Sequence, residues 1–459
     1  MPSEYQWETF AEWKTRWGDV TSLTLLGQRW VILNSLEAAV DLLDKKSASY
    51  SDRPTMSMAG ELMGWSQALI LSPYGDRFRD IRRLLHRYLG SRGQFDRIEP
   101  FYGLLQYETH RFVTRLLHSP EHFVDHIRKS AGGIILQMGY GYRVKDGADP
   151  LVQLVDRALD GLTAAATPGS FLVDIVPALR FVPSWFPGAS WKRKAASWRA
   201  ETRAMADVPF EMAKDEAAHG GEGTNLIGDN IGQATSEQQK YHLKMAAASL
   251  YAGGADTTVS SLSTFFLAMA RYPDVQRKAQ QELDAVVKSD RMPTMADYGR
   301  LPYIRALVSE CLRWHPIGPL GIPHQSTEDD VYRGYFLPKG TVFVANIWYM
   351  TRDPKIYSDP SEFKPERFLE GDGRVPEQDP RYSVFGFGRR ICPGINLADA
   401  SIFLMCATTL ALFDIRPVVE DGKEIIPEVA YTTGTISYPK PFRCSIKPRS
   451  AKAEALITG

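Results

Sequence analysis

The chain has 459 residues, 54 basic against 54 acidic side chains and therefore no formal net charge, with 44% hydrophobic residues. This is the composition of a globular enzyme, and its length alone suggests two or three domains. A neutral chain lacks the basic field that phosphate backbones require, which argues against nucleic acid as the main partner.

Four cysteines, Cys311, Cys392, Cys406 and Cys444, are too few and too scattered for a disulfide framework. None belongs to a C-x-x-C pair, so structural zinc is not indicated, and a reducing compartment fits this usage. Cys406 lies in an apolar helical run and reads as a small buried hydrophobe. No segment supplies the roughly 18 consecutive apolar residues of a spanning helix. Residues 1–17 lack the apolar centre of a signal peptide.

In chain order, residues 19–34 alternate apolar and polar side chains around Gly27-Gln28, which predicts a β-hairpin. Helical periodicity then dominates, broken by loops rich in Pro and Gly. The helix expected over residues 74–89 carries Arg77, Arg79, Arg82, Arg83 and Arg87, a run that reads first as a solvated face. From Phe171 to Trp191 large apolar residues crowd among prolines, with Lys192, Arg193 and Lys194 behind them. Two readings stay open there: a core loop, or an interfacial patch with aromatic anchors. Ser236 and Gln239 form a capping box at the start of a long helix that reaches Arg271 and ends before Pro273. A second helix spans residues 303–314. Strands are expected over 331–337 and 341–346, an irregular loop over 353–390, and a last long helix from just after Cys392 to about Phe413. The fold class is therefore mainly α with a minor β portion.

Two stretches carry chemistry. Residues 385–394 read FGFGRRICPG. Cys392 stands before a helix whose unpaired N–H groups and partial positive charge favour the thiolate, and Pro393 suits the first helical position. Gly386, Gly388 and Gly394 permit close approach of something large and flat, and Arg389 and Arg390 add cations. Singly, each feature has an ordinary explanation, a cysteine capping a helix in a glycine-rich turn. Residues 251–258 read YAGGADTT inside the long helix. Two glycines there cost about 1 kcal/mol each relative to alanine. A close helix crossing would explain the glycines but not the acid–alcohol pair Asp256-Thr257. Glu310 and Arg313, three apart on one helix, read in isolation as a surface pair worth little.

Taken together, residues 385–394 match F-x-x-G-x-R-x-C-x-G, and through this haem-binding signature the chain resembles the cytochrome P450 family. The resemblance implies that Cys392 is the proximal iron ligand of haem b (iron protoporphyrin IX), that Phe385 packs beside it, that Arg390 pairs with a haem propionate, and that Gly394 belongs to the same cofactor-binding turn. Thiolate ligation pushes electron density onto iron and favours O–O cleavage. YAGGADTT resembles (A/G)-G-x-(D/E)-T, which implies that the glycines open a groove for dioxygen and that Asp256 and Thr257 relay protons, supported by Thr258. Glu310 and Arg313 resemble E-x-x-R and Pro365-Glu366-Arg367-Phe368 resembles P-E-R-F. By that likeness Glu310, Arg313 and Arg367 form a buried triad locking the loop that leads to Cys392. YGDRFRDIRR resembles Y-G-x-x-W-R-x-x-R-R. Arg82 would then bond a propionate, while Phe78 stands where tryptophan is usual and removes one indole contact. The other arginines of that helix would face a redox partner. His324, in GIPH, resembles a further propionate contact.

The resemblance covers nearly the whole chain, residues 1–459 as a single catalytic domain. Segments such as YSDRP and ANIWYMTRDP are similar to fungal class-II members of natural-product pathways. It implies a large helical portion, a small β-rich portion and haem between the long central helix and the cysteine loop. The implied activity is insertion of one atom of O2 into a hydrophobic small molecule, terpenoid or aromatic, with electrons from NADPH–cytochrome P450 reductase, since too few residues follow Cys392 for a flavoprotein domain. Pocket walls are expected from residues 56–65, the Phe171 region, and residues 247–252, 317–322 and 432–436. The usual N-terminal membrane anchor is expected to be absent. Residues 171–191 would then give peripheral contact with the cytosolic face of the endoplasmic reticulum, and a cytoplasmic protein is the alternative. Competing functions are a haem-thiolate isomerase, dehydratase or peroxygenase needing no reductase, and a haem sensor or electron carrier.

Overall fold

A computed structural model of the chain describes residues 4–25, 27–167, 169–220, 224–288, 290–371, 373 and 375–459. Its helices of eight residues or more are α1 (Gln6–Trp17), α2 (Asp76–Leu89), α3 (Tyr102–His118), α4 (Phe123–Tyr140), α5 (Pro150–Ala166), α6 (Ser190–Ala218), α7 (Glu237–Arg271), α8 (Pro273–Val287), α9 (Pro302–Trp314), α10 (Ile395–Leu412) and α11 (Ala451–Thr458). The strands are β1 (Val20–Leu25), β2 (Gln28–Leu33), β3 (His324–Gln325), β4 (Asp330–Tyr332), β5 (Tyr335–Leu337), β6 (Val342–Ala345), β7 (Phe413–Glu420), β8 (Lys423–Ile425) and β9 (Cys444–Pro448).

The predicted hairpin is β1–β2, antiparallel with Val20 opposite Leu33 and Leu25 opposite Gln28; Leu26 in its turn lies outside the described residues. β2 then pairs parallel with β6 and the sheet runs β1-β2-β6-β3. Residues 331–337, expected as one strand, are instead part of the β4–β5 hairpin. Arg333 (φ 50°) and Gly334 (φ 82°) both adopt the left-handed backbone of a two-residue type I′ turn, so the run folds back on itself.

α7 is the structural axis. Its capping box forms as predicted, the Gln239 N–H donating to Ser236 Oγ at 3.1 Å and the Ser236 N–H to Gln239 Oε1 at 3.2 Å. Beyond the first turns the helix is buried almost all round, from Leu243 to Ala270, as expected of a helix apolar on every face. α10 is similar. Among the described residues it alone is long and apolar enough to cross a membrane, and 89% of it is buried inside the fold.

The irregular stretch between β6 and α10 is held by ion pairs rather than by a ladder. Glu310, fully buried on α9, accepts from Arg313 Nε at 2.7 Å and from Arg367 Nε at 3.1 Å. The remaining guanidinium donors meet loop carbonyls: Arg313 reaches Thr351, Pro360 and Glu362, and Arg367 reaches Ser358. Glu377, 2.6 Å from Arg367 Nη1, is a fourth member that the motif pattern does not contain. A buried ionic group is tolerable only when every charge is paired and every donor satisfied, which this cluster achieves. Glu310→Gln should therefore leave the Arg313 guanidinium without a carboxylate, Arg367 keeping Glu377, and destabilise the fold by about 3–5 kcal/mol. Urea unfolding followed by circular dichroism checks this, with a lowered midpoint at unchanged slope as the expected result.

Candidate functional site

α2, α4, α5 and α7, the loops before β3 and the turn before α10 enclose a cavity of about 370 Å³. Cys392 lies on one wall. Its N–H donates to Phe385 O at 2.7 Å, closing the turn in which Gly386 (φ 76°) and Gly388 (φ 52°) take left-handed backbone. A Cβ on Gly388 would strike Leu43 O and come within 2.7 Å of Ser47 Cβ, so only glycine fits there.

Two sequence expectations for this turn need correction. α10 begins at Ile395 with Gly394 as its cap, so Pro393 precedes the cap rather than opening the helix. The free thiol of Cys392 is held above its ordinary pKa, not below. Burial dominates, and the N–H of Gly394 and the Arg82 guanidinium only partly oppose it. The helix terminus alone does not make the thiolate; a bound metal cation would, because a coordinating thiol is deprotonated outright.

The cavity carries an unusual concentration of buried positive charge. Arg82 donates to Ile391 O, Arg390 to Ser51 O and Ser72 O, and Arg53 to Ile322 O and Pro323 O, each at 2.7 Å. His324 Nδ1 donates to Tyr50 O at 2.7 Å. Among the described residues none of these three arginines forms a salt bridge, and Arg53 Nε has no hydrogen-bond partner. Burial holds Arg53 and Arg82 below the usual guanidinium range, brings Arg390 down to about 10 and suppresses protonation of His324. Three buried cations with only the Asp52 carboxylate nearby, and none in ion-pair contact, call for an anionic ligand. Haem fits this arrangement: its two propionates match the cationic end, its iron matches Cys392, and its apolar ring matches the walls. Arg53 was missed by the motif comparison, although it sits in the quoted YSDRP. Phe78 is buried at the same end, with the Arg390 guanidinium 4.0 Å above its ring.

α7 forms the opposite wall, and its two glycines do different things. Nothing lies within 4 Å of a Cβ placed on Gly253, which faces open cavity. A Cβ on Gly254 would run into Ile135 of α4, so that glycine serves helix packing. Thr257 lines the cavity, its Oγ1 donating to Gly253 O at 2.8 Å. Asp256 does not line it. Its carboxylate faces Arg128 Nη2 at 3.8 Å, and burial raises its pKa.

Other expectations divide. Residues 317–322 and 432–436 contribute walls through Ile317, Leu320, Ile322, Thr435 and Ile436. The Phe171 region does not: Phe171 packs edge-on against Trp198, 6.0 Å between ring centroids. Of the stretch 56–65 only Trp65 reaches the lining, and Leu159, Leu162 and Thr163 of α5 take the place of the rest. Arg77 is not available to a partner, since it is tied to Gln67 Oε1 and Ser66 O. Arg79 and Arg83 are exposed and pair with Asp76 and Asp80.

The sequence profile described as Cytochrome P450 matches residues 2–443. The chain belongs to the cytochrome P450 family. Over its whole length it is 50% identical to Cytochrome P450 monooxygenase 208 of Postia placenta, covering 89% of that protein. It is 46% identical to Cytochrome P450 monooxygenase claR of Ampulloclitocybe clavipes, with all of this chain and 85% of that one aligned. A solved structure of a zebra fish cytochrome P450 with abiraterone shares the fold at a TM-score of 0.76 and 21% identity, covering 97% of this chain and 100% of that one. The protein is thus a P450 monooxygenase, a haem-thiolate oxidoreductase that uses O2, a redox partner and hydrophobic substrates.

The two glycines of this P450 should separate experimentally. Gly254→Ala overpacks Ile135 and should cost about 1–3 kcal/mol. Gly253→Ala, with free space and better helix propensity, should be neutral or stabilising by up to about 1 kcal/mol. Thermal unfolding of the two variants checks the contrast.

Proposed function

We propose that this P450 hydroxylates, or oxidises by a related oxygen insertion, a hydrophobic terpenoid or aromatic small molecule of fungal secondary metabolism. It does so with haem b and with electrons from NADPH–cytochrome P450 reductase. The observation that carries this reading is the division of the cavity. Cationic side chains gather at one end beside Cys392, and the walls toward α5 and α7 are aliphatic, broken only by hydroxyl groups. A pocket of that kind binds apolar ligands with few polar contacts. The relatives reported above are fungal monooxygenases, which supports the same reading.

When bound, the haem supplies activation of dioxygen, strengthened by its thiolate ligand. The chain's own residues do the rest. Cys392 would hold the metal, and the Gly394 N–H bonds its sulfur. Arg53, Arg82, Arg390 and His324 would hold the carboxylates, and Phe385, in the same cavity lining, would stand beside the group. Thr257 keeps a hydroxyl proton at the cavity wall, and Asp256 stands behind it as the acid that resupplies it. Leu159, Leu162 and Ile436 exclude water from the substrate's end.

Two measurements test this reading. The reduced protein under carbon monoxide should show the red-shifted Soret band of thiolate ligation, lost in Cys392→Ser. With reductase, product formation from a panel of fungal metabolites should require NADPH, and Thr257→Ala should lower product per NADPH by roughly tenfold or more. Turnover without reductase would instead identify an isomerase, dehydratase or peroxygenase. Ligand-free spectra with no turnover on any substrate would identify a sensor or carrier.

Contact with the endoplasmic reticulum is a second part of the proposal. Leu172, Val176, Phe181, Trp185 and Phe186 are exposed together, next to Lys192, Arg193 and Lys194. Aromatic and basic side chains of this kind seat at a membrane interface. The protein should float with anionic lipid vesicles, and Phe181→Ser with Trp185→Ser should abolish flotation. Absence of flotation by the parent protein would remove the membrane assignment.

A further inference from the structure

Away from the cofactor's end, few polar groups line the cavity, and most are committed to the fold. Ser249 Oγ donates to Met245 O at 2.6 Å and accepts from the Leu69 N–H at 3.0 Å. Ser401 Oγ donates to Leu397 O at 2.6 Å. Trp65 Nε1 and Ser261 Oγ are unpaired but sealed beneath the surface. Thr258 stands beside Thr257 on α7 and is buried. Thr163 and Thr435 differ from all of these. Both are half-buried, both line the cavity, and neither hydroxyl has a hydrogen-bond partner among the described residues. A helical threonine often returns its hydroxyl to the carbonyl four residues back. Thr167 does so to Thr163 O and Thr202 to Trp198 O, each at 2.9 Å. Thr163 does not. Its methyl carbon faces the turn of residues 432–436, with Cγ2 at 3.7 Å from a Cβ placed on Gly434. Thr435 is the next residue of that turn, so the two free hydroxyls are carried where α5 meets it.

The turn itself is fixed. Gly434 (φ 140°) holds backbone that favours glycine. Ser437 closes the turn, its N–H donating to Ile317 O at 2.8 Å and its Oγ to Thr432 O at 2.7 Å. His315 Nε2 lies 2.8 Å from the same Oγ, and Ser260 Oγ of α7 donates to Ser437 O at 2.6 Å. Hydrogen-bonding groups carried on rigid backbone bind a ligand at little ordering cost. The charged side chains of the lining, Arg53, Arg82 and Arg390, all belong to the cofactor's end. Nothing beside the two threonines would pair with a carboxylate or an ammonium group.

We propose that Thr163 and Thr435 hold one uncharged oxygen of the substrate, so that this P450 takes an apolar skeleton already carrying a hydroxyl, ketone or ester group. The inference rests on the monooxygenase reading and narrows its substrate class. Each threonine hydroxyl can donate to a carbonyl oxygen, and a substrate hydroxyl can accept from one and donate to the other. A pure hydrocarbon would cover both hydroxyls and pair neither, and buried polar groups left unpaired are costly. A site built to bond an oxygen therefore rejects the analogue that lacks it, more strongly than an apolar wall discriminates by shape. The reaction that supplies this substrate is one that installs oxygen, an earlier oxidation or an acyl transfer. The oxygen added here goes to a carbon whose position is set by the reach from the threonine pair to the metal's place at Cys392.

The test uses the haem-loaded protein and two series of probes, 1-alkylimidazoles of graded length and the same chains ending in a hydroxyl group. An imidazole nitrogen ligates iron, so each probe is tethered at the metal and its far end samples the walls. Affinity is read from the shift of the Soret band. In an apolar cavity a terminal hydroxyl weakens binding. In the parent protein, at the chain length that reaches the pair, the hydroxylated probe should instead bind roughly three- to tenfold tighter than its alkyl counterpart. Thr163→Val combined with Thr435→Val keeps the shape of the wall. It should abolish that preference and leave the alkyl probes at parental affinity or tighter. Thr163→Ser combined with Thr435→Ser should retain the preference. Should the double valine variant not fold, each single valine variant should reduce the preference by itself. A hydroxyl that weakens binding at every length, a preference that survives the valines, or an equal loss of alkyl and hydroxyalkyl binding would each overturn the anchor. Failure of the monooxygenase reading looks different. Imidazole binding needs no reductase, so the preference is measured even where the parent forms no NADPH-dependent product.

Discussion

Glu310 has no exposed surface, and its two oxygens serve two arginines from different parts of the chain. One belongs to its own helix; the other comes from the irregular stretch beyond β6. That stretch has few backbone ladders to fix it, so its path is set by where the guanidinium forks find carbonyls to bond. The path delivers Phe385 and Cys392 to the cavity wall, where the N–H of Cys392 closes back on Phe385 O. The position of Cys392 is thus a remote consequence of a charge buried on α9. Removing that charge would disturb the cysteine turn without touching it.

A second constraint is the division of labour along α7. Neighbouring positions on one helix face different surroundings: Gly254 meets α4, Gly253 faces the cavity, Asp256 meets Arg128 and Thr257 faces the cavity again. A helix turns about 100° per residue, so an acid and an alcohol in succession cannot both point the same way. The two side chains therefore meet different surroundings, the charged groups of α4 and α5 on one side and the largely apolar cavity on the other.

What was legible in the sequence follows from locality. The capping box at Ser236, the turn around Cys392 and the spacing of Glu310 and Arg313 are short-range patterns whose physics is complete within a few residues, and the structure contains each. Features that depend on what arrives from elsewhere were not legible. An apolar helix face looks the same whether it packs against protein or lines a cavity, so Leu159 and Leu162 carried no signal while the Phe171 region seemed a better wall. Arg128 is an ordinary helical arginine until α5 and α7 bring carboxylates to it. The thiol of Cys392 illustrates the same limit in energies: its helix terminus could be read locally, but the burial that outweighs it could not. Residues 331–337 failed for a local reason, because Arg333-Gly334 was available as a turn signal and was read through.

The unpaired arginines of the cavity have a consequence for how the protein is made. A chain folding without its cofactor must bring Arg53, Arg82 and Arg390 together with only the Asp52 carboxylate near them, against both desolvation and mutual repulsion. Any ligand that binds only the assembled state stabilises it by mass action, by about 2.7 kcal/mol at a hundredfold excess over its dissociation constant. Cofactor capture therefore adds directly to the stability of the folded chain. The yield of folded chain in an expression host should track the supply of porphyrin as closely as it tracks the strength of the promoter.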